Sequence, residues 1–148
     1  MGLYFEDFQP ERVIVTRGRT VGECDITTFA GLVGDWNPLH VDEVFCADTS
    51  FKGRIAHGPL TLSMAIGLMS QQNLIDGTTT GLLGLSWSFS GPVKIGDTIH
   101  ARVSLVSKRP TKDPARGIVV LGLDVINQAG ASVQRGEMTL MMKRKPQT

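Results

Sequence analysis

The sequence has little of what several classes of protein require. Its two cysteines, Cys24 and Cys46, are too far apart for a Cys-x-x-Cys motif and too few for a disulfide framework, so we interpret them as small, half-buried apolar residues. Its 15 basic and 14 acidic residues leave a formal charge of +1, which gives no strong attraction to nucleic acid or to a membrane surface. These absences predict a protein of the reducing cytoplasm that has neither of those partners.

Other signals are absent as well. No apolar run approaches the ~20 residues of a membrane-spanning helix, and residues 1–10 mix acidic side chains with aromatic ones instead of beginning like a basic signal peptide. His40, His57 and His100 show no metal-binding spacing, and no glycine-rich nucleotide loop occurs. We therefore predict no metal site and no cofactor.

The first half of the chain has a helical pattern. A short β-branched run over residues 12–16 precedes a helix that Asp25 is predicted to cap and that ends near Gly34. A longer helix begins at His57-Gly58-Pro59, because proline suits the first helical position. This helix is apolar on nearly every face as far as Met69, a pattern typical of a buried central helix.

Beyond Gly77 the pattern of apolar residues indicates strands. We predict four of them, over residues 84–90, 97–107, 117–127 and 132–143, each with one buried face. The alternating apolar residues are Leu85, Trp87 and Phe89 in the first strand and Val119, Leu121, Leu123 and Val125 in the third. Helices followed by an antiparallel sheet make an α+β arrangement, and residues 1–148 fit one domain.

The most informative segment is Gly34-Asp35-Trp36-Asn37-Pro38-Leu39-His40. Proline opposes a helix through this point, so a turn brings the Asp35 carboxyl group and the His40 imidazole to one spot. A neutral imidazole accepts a proton near pH 7, and a neighbouring carboxyl group orients it, holds a water or returns a proton. The pair indicates hydration or dehydration chemistry, although Asp and Asn before Pro also form ordinary turns.

Residues 29–40, followed by Ala56-His57-Gly58-Pro59-Leu60, resemble the signature of the MaoC-like dehydratases, the family of the (R)-specific enoyl-CoA hydratases. The resemblance covers most of the chain and is strongest over residues 25–69. It implies a hot-dog fold, in which an antiparallel sheet wraps around one long central helix, and a homodimer or higher homo-oligomer in which two sheets join. It also implies that Asp35 and His40 are the catalytic pair that interconverts a trans-2-enoyl-CoA and an (R)-3-hydroxyacyl-CoA.

Further site residues follow from the charge that such a reaction develops. Addition of water at carbon 3 pushes negative charge onto the thioester oxygen, and the N–H of Gly58 at a helix start is a suitable donor. Without a side chain, Gly58 lets the thioester approach, whereas Pro59 has no N–H to offer. Asn37 is predicted to pin the loop, with contact to water or substrate as the alternative.

Three more side chains are assigned with their alternatives. His57 ranks below His40 as a base, because its place at the helix entrance suits shaping the oxyanion site. Ser63 either reaches the pocket or bonds back to a helix carbonyl; some hydratases of the family carry a serine eight residues after the glycine, where this chain has Ile66. Trp36 either lines the acyl tunnel or packs under the loop.

Coenzyme A enters only as part of the substrate, and its phosphates favour basic residues at a pocket mouth. Lys52, Arg54 and the basic loop over residues 108–116 are the candidates, and for the loop an ordinary solvated connection is the alternative. Two other functions stay open, an acyl-CoA thioesterase and a non-catalytic hot-dog subunit of an acyl-thioester-processing complex. The Asn-Pro-Leu-His string disfavours the first, and the intact Asp35–His40 pair disfavours the second.

Overall fold

The computed structural model describes residues 1–146, in which one antiparallel sheet wraps around one helix. A 3-10 turn at Phe5–Asp7 precedes the helices, which are α1 (Glu23–Val33), α2 (Pro38–Val41), α3 (Glu43–Ala47) and α4 (Gly58–Ser70). The strands are β1 (Ile14–Val15), β2 (Arg19–Thr20), β3 (Thr79–Phe89), β4 (Thr98–Pro110), β5 (Arg116–Ile126) and β6 (Ser132–Lys143). Within residues 1–146 no helix is both long and apolar enough to cross a membrane.

The sheet has the strand order β1-β4-β5-β6-β3, and β2 pairs separately with β4. Every pairing is antiparallel. In β5 alternate residues are buried, as the sequence predicted, because one face of the sheet packs on α4. The core joins that face to the apolar residues of the helix, which are Leu60, Met64, Ala65 and Met69.

The helix ends differ in part from the prediction. The start of α4 is confirmed, since His57 is the residue before its first helical position. The end of α1 is confirmed too, because Gly34 adopts a left-handed φ of 81° and its N–H donates to the carbonyl of Ala30. The cap by Asp25 is right in part: the N-cap residue is Gly22 and α1 begins at Glu23, but the Asp25 carboxylate caps the helix from its third position by accepting the N–H of Gly22 at 2.8 Å.

Two short helices, α2 and α3, were not predicted. Pro38 does not interrupt a helix. It is the first residue of α2, where its missing N–H costs no hydrogen bond. The side chain of Asn37 caps α2 by accepting the N–H of Leu39 at 3.0 Å. His40 therefore lies on a short helix rather than in a loop.

β3 and β4 are longer than the sequence indicated, β5 is shifted by one residue from the predicted 117–127 with the same length, and β6 has the predicted bounds. β3 begins at Thr79, well before the predicted residue 84. β4 continues to Pro110, because it pairs with β5 as far as Pro110 and Gly117. The first residues of the predicted basic loop therefore belong to a strand.

The predicted buried face of β3 is wrong for the single chain. Leu85 is 45% exposed and Phe89 is 54% exposed, and Trp87 is half-buried. β3 lies at the edge of the sheet, so only β6 flanks it. The cysteine interpretation is also only partly right, since Cys46 is fully buried and Cys24 is exposed.

Ion pairs between the N-terminal 3-10 turn and the residues that follow β6 predict a pH-dependent stability. Burial raises the pKa of Glu6, but hydrogen bonds from Arg144 and from the N–H of Lys145 outweigh it and leave the pKa below its ordinary 4.5. The Lys145 ammonium lowers the pKa of Asp7 from its ordinary 3.8. Because both values are lower in the folded state, the stabilisation is present above these ordinary values and is lost as the pH falls through the folded ones.

We expect the free energy of unfolding in urea to fall as the pH is lowered below about 4.5, and that of the double variant Glu6→Gln/Asp7→Asn to fall less steeply. The two variant side chains do not titrate, so the pairs cannot contribute to its slope. An unchanged slope in the double variant would show that other carboxyl groups cause the acid sensitivity.

Candidate active site

The candidate site lies where the end of α1, the start of α2 and the start of α4 meet. Asp35 is exposed and His40 is half-buried, and the N–H of Asn37 donates to the Asp35 carboxylate at 3.2 Å. One side-chain ligand atom each from Asp35, His40 and His57 lies within 4.8 Å of the other two. The structure thus brings the two residues of the predicted acid/base pair together, with the second histidine beside them.

The hydrogen bond of His40 decides which ring nitrogen is free. Its Nδ1 lies 2.7 Å from the carbonyl oxygen of Ile55. A carbonyl oxygen only accepts, so in the neutral ring Nδ1 carries the proton. Nε2 is then the nitrogen with an available lone pair, which is the requirement for a general base.

His57 is held in a different way. It is 1% exposed, and its Nε2 lies 3.0 Å from the carbonyl oxygen of Asp35, so by the same reasoning Nε2 carries the proton. Its Nδ1 is buried and has no hydrogen-bond partner within the described residues. The ring stacks on that of His40, with centroids 3.7 Å apart and planes inclined by 28°. His57 therefore packs against one face of the His40 ring and supports it.

The same three residues are a group of possible metal ligands within residues 1–146. Ring nitrogens bind a metal with lone pairs that lie in the ring plane, at about 2.0–2.1 Å for zinc. The rings of His40 and His57 are stacked and nearly parallel, so their lone pairs do not converge on one point. In addition, His57 Nε2 is already hydrogen-bonded to the backbone carbonyl of Asp35. The absence of a metal site stays a prediction, and this geometry favours it.

Gly58 lies beside a groove of about 420 Å³. As the first residue of α4 it has no acceptor for its N–H within the helix. The groove is lined on its other sides by Phe51, Ile55, Thr61, Phe89, Val93 and Gln134. A Cβ added to Gly58 would lie 2.7 Å from Cε1 of Phe89. The space that a side chain at position 58 would need, which the sequence predicted to admit the approaching thioester, is therefore taken by the Phe89 ring. In this structure a glycine is needed at position 58 because the Phe89 ring packs directly against it.

Two predicted residues are not gathered into the site. Ser63 is exposed and its hydroxyl donates to the carbonyl of Pro59 at 2.8 Å, which is the back-bonded alternative. Ser63 does not line the groove beside Gly58. Trp36 is 57% exposed and lies against α1 near Gly31, so it is not packed under the loop.

Three of the basic candidates for phosphate binding are engaged in contacts within the chain. Arg54 forms ion pairs with Glu23 at 2.6 Å and Glu43 at 2.7 Å, which raise the pKa of its guanidinium group. Lys52 donates to a backbone carbonyl of α3 at 3.2 Å. Lys108 donates to backbone carbonyls in and beside the N-terminal turn. These contacts assign structural roles to the three side chains.

Sequence reasoning missed two buried polar residues near Gly58. Thr61 is 1% exposed and Gln134 is 2% exposed, and both line the groove. One signal was available for Gln134. It lies on the buried face of β6 that otherwise carries Gly136, Met138, Leu140 and Met142, so it is a polar residue at an apolar position.

Fold and site together define a class of protein, in which an antiparallel sheet surrounds a central helix and an Asp–His pair lies at the entrance of that helix. The MaoC like domain family matches residues 7–126. The chain therefore belongs to this family, which confirms the resemblance seen in the sequence.

Relatives and a solved structure agree with the assignment. The chain is 36% identical over 121 residues to an (R)-specific enoyl-CoA hydratase of Aeromonas caviae, covering 82% of this chain and 86% of the relative. It is 35% identical over 139 residues to an (R)-specific enoyl-CoA hydratase of Rhodospirillum rubrum, covering 94% and 91%. A protein of Mycobacterium tuberculosis with a double hot-dog fold superposes with a TM-score of 0.85 at 25% identity, covering 99% of this chain and 46% of that one. The hot-dog fold is thereby confirmed.

Proposed function

We propose that this chain is a lyase that interconverts trans-2-enoyl-CoA and (R)-3-hydroxyacyl-CoA. The observation that carries the proposal is the hydrogen bond of His40 Nδ1 to the carbonyl of Ile55. It leaves His40 Nε2 free to accept a proton, in a ring that lies close to Asp35. The names of the hydratase relatives support the same reaction and supply its stereochemistry.

In the hydration direction, a water held by Asp35 gives a proton to His40 Nε2 as its oxygen bonds to carbon 3. The electron pair of the double bond moves toward the thioester oxygen, and the N–H of Gly58 stabilises the charge that develops there. Return of a proton from the Asp35–His40 pair to carbon 2 completes the product. Because one pair serves both carbons, the hydroxyl group and the proton arrive on the same face, which is syn addition.

The neighbouring residues support this pair. Asn37 fixes the turn between Asp35 and α2, since its side chain caps α2 and its N–H donates to the Asp35 carboxylate. His57 supports the His40 ring by stacking and holds the Asp35 carbonyl. Ser63 takes no part in the proposal, because its hydroxyl is bonded to Pro59 on an exposed surface. The reaction needs neither a metal nor a redox cofactor, and coenzyme A takes part only as the substrate's carrier.

The proposed enzyme works in the cytoplasm as a homodimer. β3 is an eleven-residue edge strand that exposes large apolar side chains, among them Leu82, Leu83, Leu85 and Phe89. Long apolar edge strands pair readily with another chain. A second copy on this edge would join the two sheets and cover these side chains.

We expect light scattering to give twice the chain mass of 16.0 kDa for the wild-type protein. Leu85→Lys should shift the mass toward that of one chain, because a charge on the edge opposes pairing. Val44→Lys provides the control, since Val44 is 82% exposed and lies on α3, which is not part of the sheet. A monomeric wild-type protein, or equal effects of both substitutions, would contradict pairing through β3.

The function is tested by incubating the purified protein with a panel of trans-2-enoyl-CoA thioesters and following the ultraviolet absorbance of the conjugated double bond. Hydration removes this chromophore, and chiral analysis of the product should give the (R)-3-hydroxyacyl form. Release of free coenzyme A would instead identify a thioesterase. Binding without turnover, with a tight complex to a second hot-dog protein, would identify a non-catalytic subunit.

A further inference from the structure

A chain of hydrogen bonds joins the edge strand β3 to the first turn of α4, and the proposed mechanism does not use it. Nε1 of Trp87 donates to Oε1 of Gln134 at 3.1 Å. Nε2 of Gln134 donates to the hydroxyl oxygen of Thr61. The Thr61 hydroxyl in turn donates to the carbonyl of Gly58 at 3.0 Å. Three elements, β3, β6 and α4, are connected in this way.

The direction of every bond in this chain follows from its first member. An indole N–H only donates, so Gln134 must turn its amide oxygen toward Trp87. Its NH₂ group then faces Thr61, whose hydroxyl oxygen has to accept. The hydroxyl proton of Thr61 is therefore directed at the backbone carbonyls that begin α4.

Thr61 contacts the peptide group that contains the proposed oxyanion donor. Its backbone N–H donates to the His57 carbonyl at 3.3 Å, and its hydroxyl lies 3.5 Å from the same oxygen. The carbonyl of His57 and the N–H of Gly58 belong to one planar peptide group. Contacts that fix this carbonyl therefore fix the direction of the Gly58 N–H, and they polarise it, because bonds in a chain strengthen one another.

Burial gives these contacts their importance. With Thr61 1% and Gln134 2% exposed, neither side chain exchanges its hydrogen bonds for water. A buried amide or hydroxyl that loses its partner is costly, so each member constrains the next. The chain is a rigid support from the sheet to the start of α4.

We propose that Thr61 and Gln134 are positioning residues that aim the Gly58 N–H at the thioester oxygen, an inference that rests on the proposed function. A donor aimed at developing charge acts mainly in the transition state. Loss of the support therefore lowers kcat and leaves KM nearly unchanged.

The test compares Thr61→Val, which keeps the shape but removes the hydroxyl, with Thr61→Ser, which keeps the hydroxyl. We expect Thr61→Val to lower kcat by about tenfold, less than the 10²–10³-fold typical of a deleted oxyanion donor, with KM within about twofold. Thr61→Ser should recover most of that loss. Gln134→Met should resemble Thr61→Val, and the double variant should be no worse than either single variant, because the two act in one chain.

Thr78→Val is the matched control, since Thr78 is also fully buried and its hydroxyl has no partner within the described residues. This substitution should leave kcat unchanged. If kcat in Thr61→Val or Gln134→Met is within about twofold of wild type, or if the two losses multiply, the positioning role is wrong. A wild-type protein without hydratase activity contradicts the proposed function itself and this inference with it, whereas an active wild type with unaffected variants contradicts the inference alone.

Discussion

Asp35→Asn and His40→Gln are each expected to lower the turnover of enoyl-CoA by about 10²–10⁴-fold, the usual worth of general acid/base assistance. Asparagine keeps an oxygen that can accept the N–H of Asn37, but it cannot take up or release a proton. Glutamine at position 40 likewise removes the basic nitrogen. Initial rates from the loss of enoyl absorbance measure the effect of each substitution on turnover, and thermal unfolding of each variant measures its effect on stability.

The third histidine provides the control for this pair. His100 lies on β4 and is half-buried, outside the group formed by Asp35, His40 and His57. We expect His100→Gln to keep the wild-type rate. Near-normal turnover in Asp35→Asn or in His40→Gln, with the fold intact, would show that the acid/base assignment is wrong.

The part of the site that the sequence predicted is the part formed by neighbouring residues. Asp35 and His40 are five residues apart, and the turn chemistry of Asn37 and Pro38 is local, so the motif was sufficient to bring them together. The helix carrying Gly58 was also predicted, because its apolar pattern and its proline lie in one segment.

The remaining part depends on contacts between residues that are distant in sequence. Gln134 meets Thr61 across 73 positions and Trp87 across 47. The register of β3 on β6 brings Trp87 within reach of Gln134, and the packing of α4 on the sheet brings Thr61. Phe89 faces Gly58 for the same reason, because β3 ends beside the start of α4. No local pattern encodes such a register.

The wrong prediction for β3 has a different cause. Its alternation of apolar and small residues is real, and it indicates a face that something covers. In one chain Leu85 and Phe89 stay about half exposed, so the pattern predicts more burial than a single copy provides. The sequence is informative about an assembly, and the proposed pairing through β3 accounts for the difference.

Gly58→Ala is expected to lower kcat/KM by about 10²-fold, because displacing catalytic groups by about 1 Å has an effect of that size. The added methyl group would lie 2.7 Å from Cε1 and 3.0 Å from Cδ1 of Phe89, so the ring or the start of α4 must move. Gly67→Ala is the control in the same helix, since a Cβ at Gly67 meets nothing within 4 Å. This control should retain activity.

A second substitution separates two reasons for the loss. If the methyl group acts by displacing the Phe89 ring, the double variant Gly58→Ala/Phe89→Ala should regain a kcat/KM within about threefold of Phe89→Ala alone, because non-additive effects identify groups in contact. If the methyl group itself obstructs the thioester, the double variant stays as slow as Gly58→Ala. We expect recovery, since the ring lies too close to leave room for a Cβ and, at 54% exposure, belongs to the wall of the groove rather than to the core.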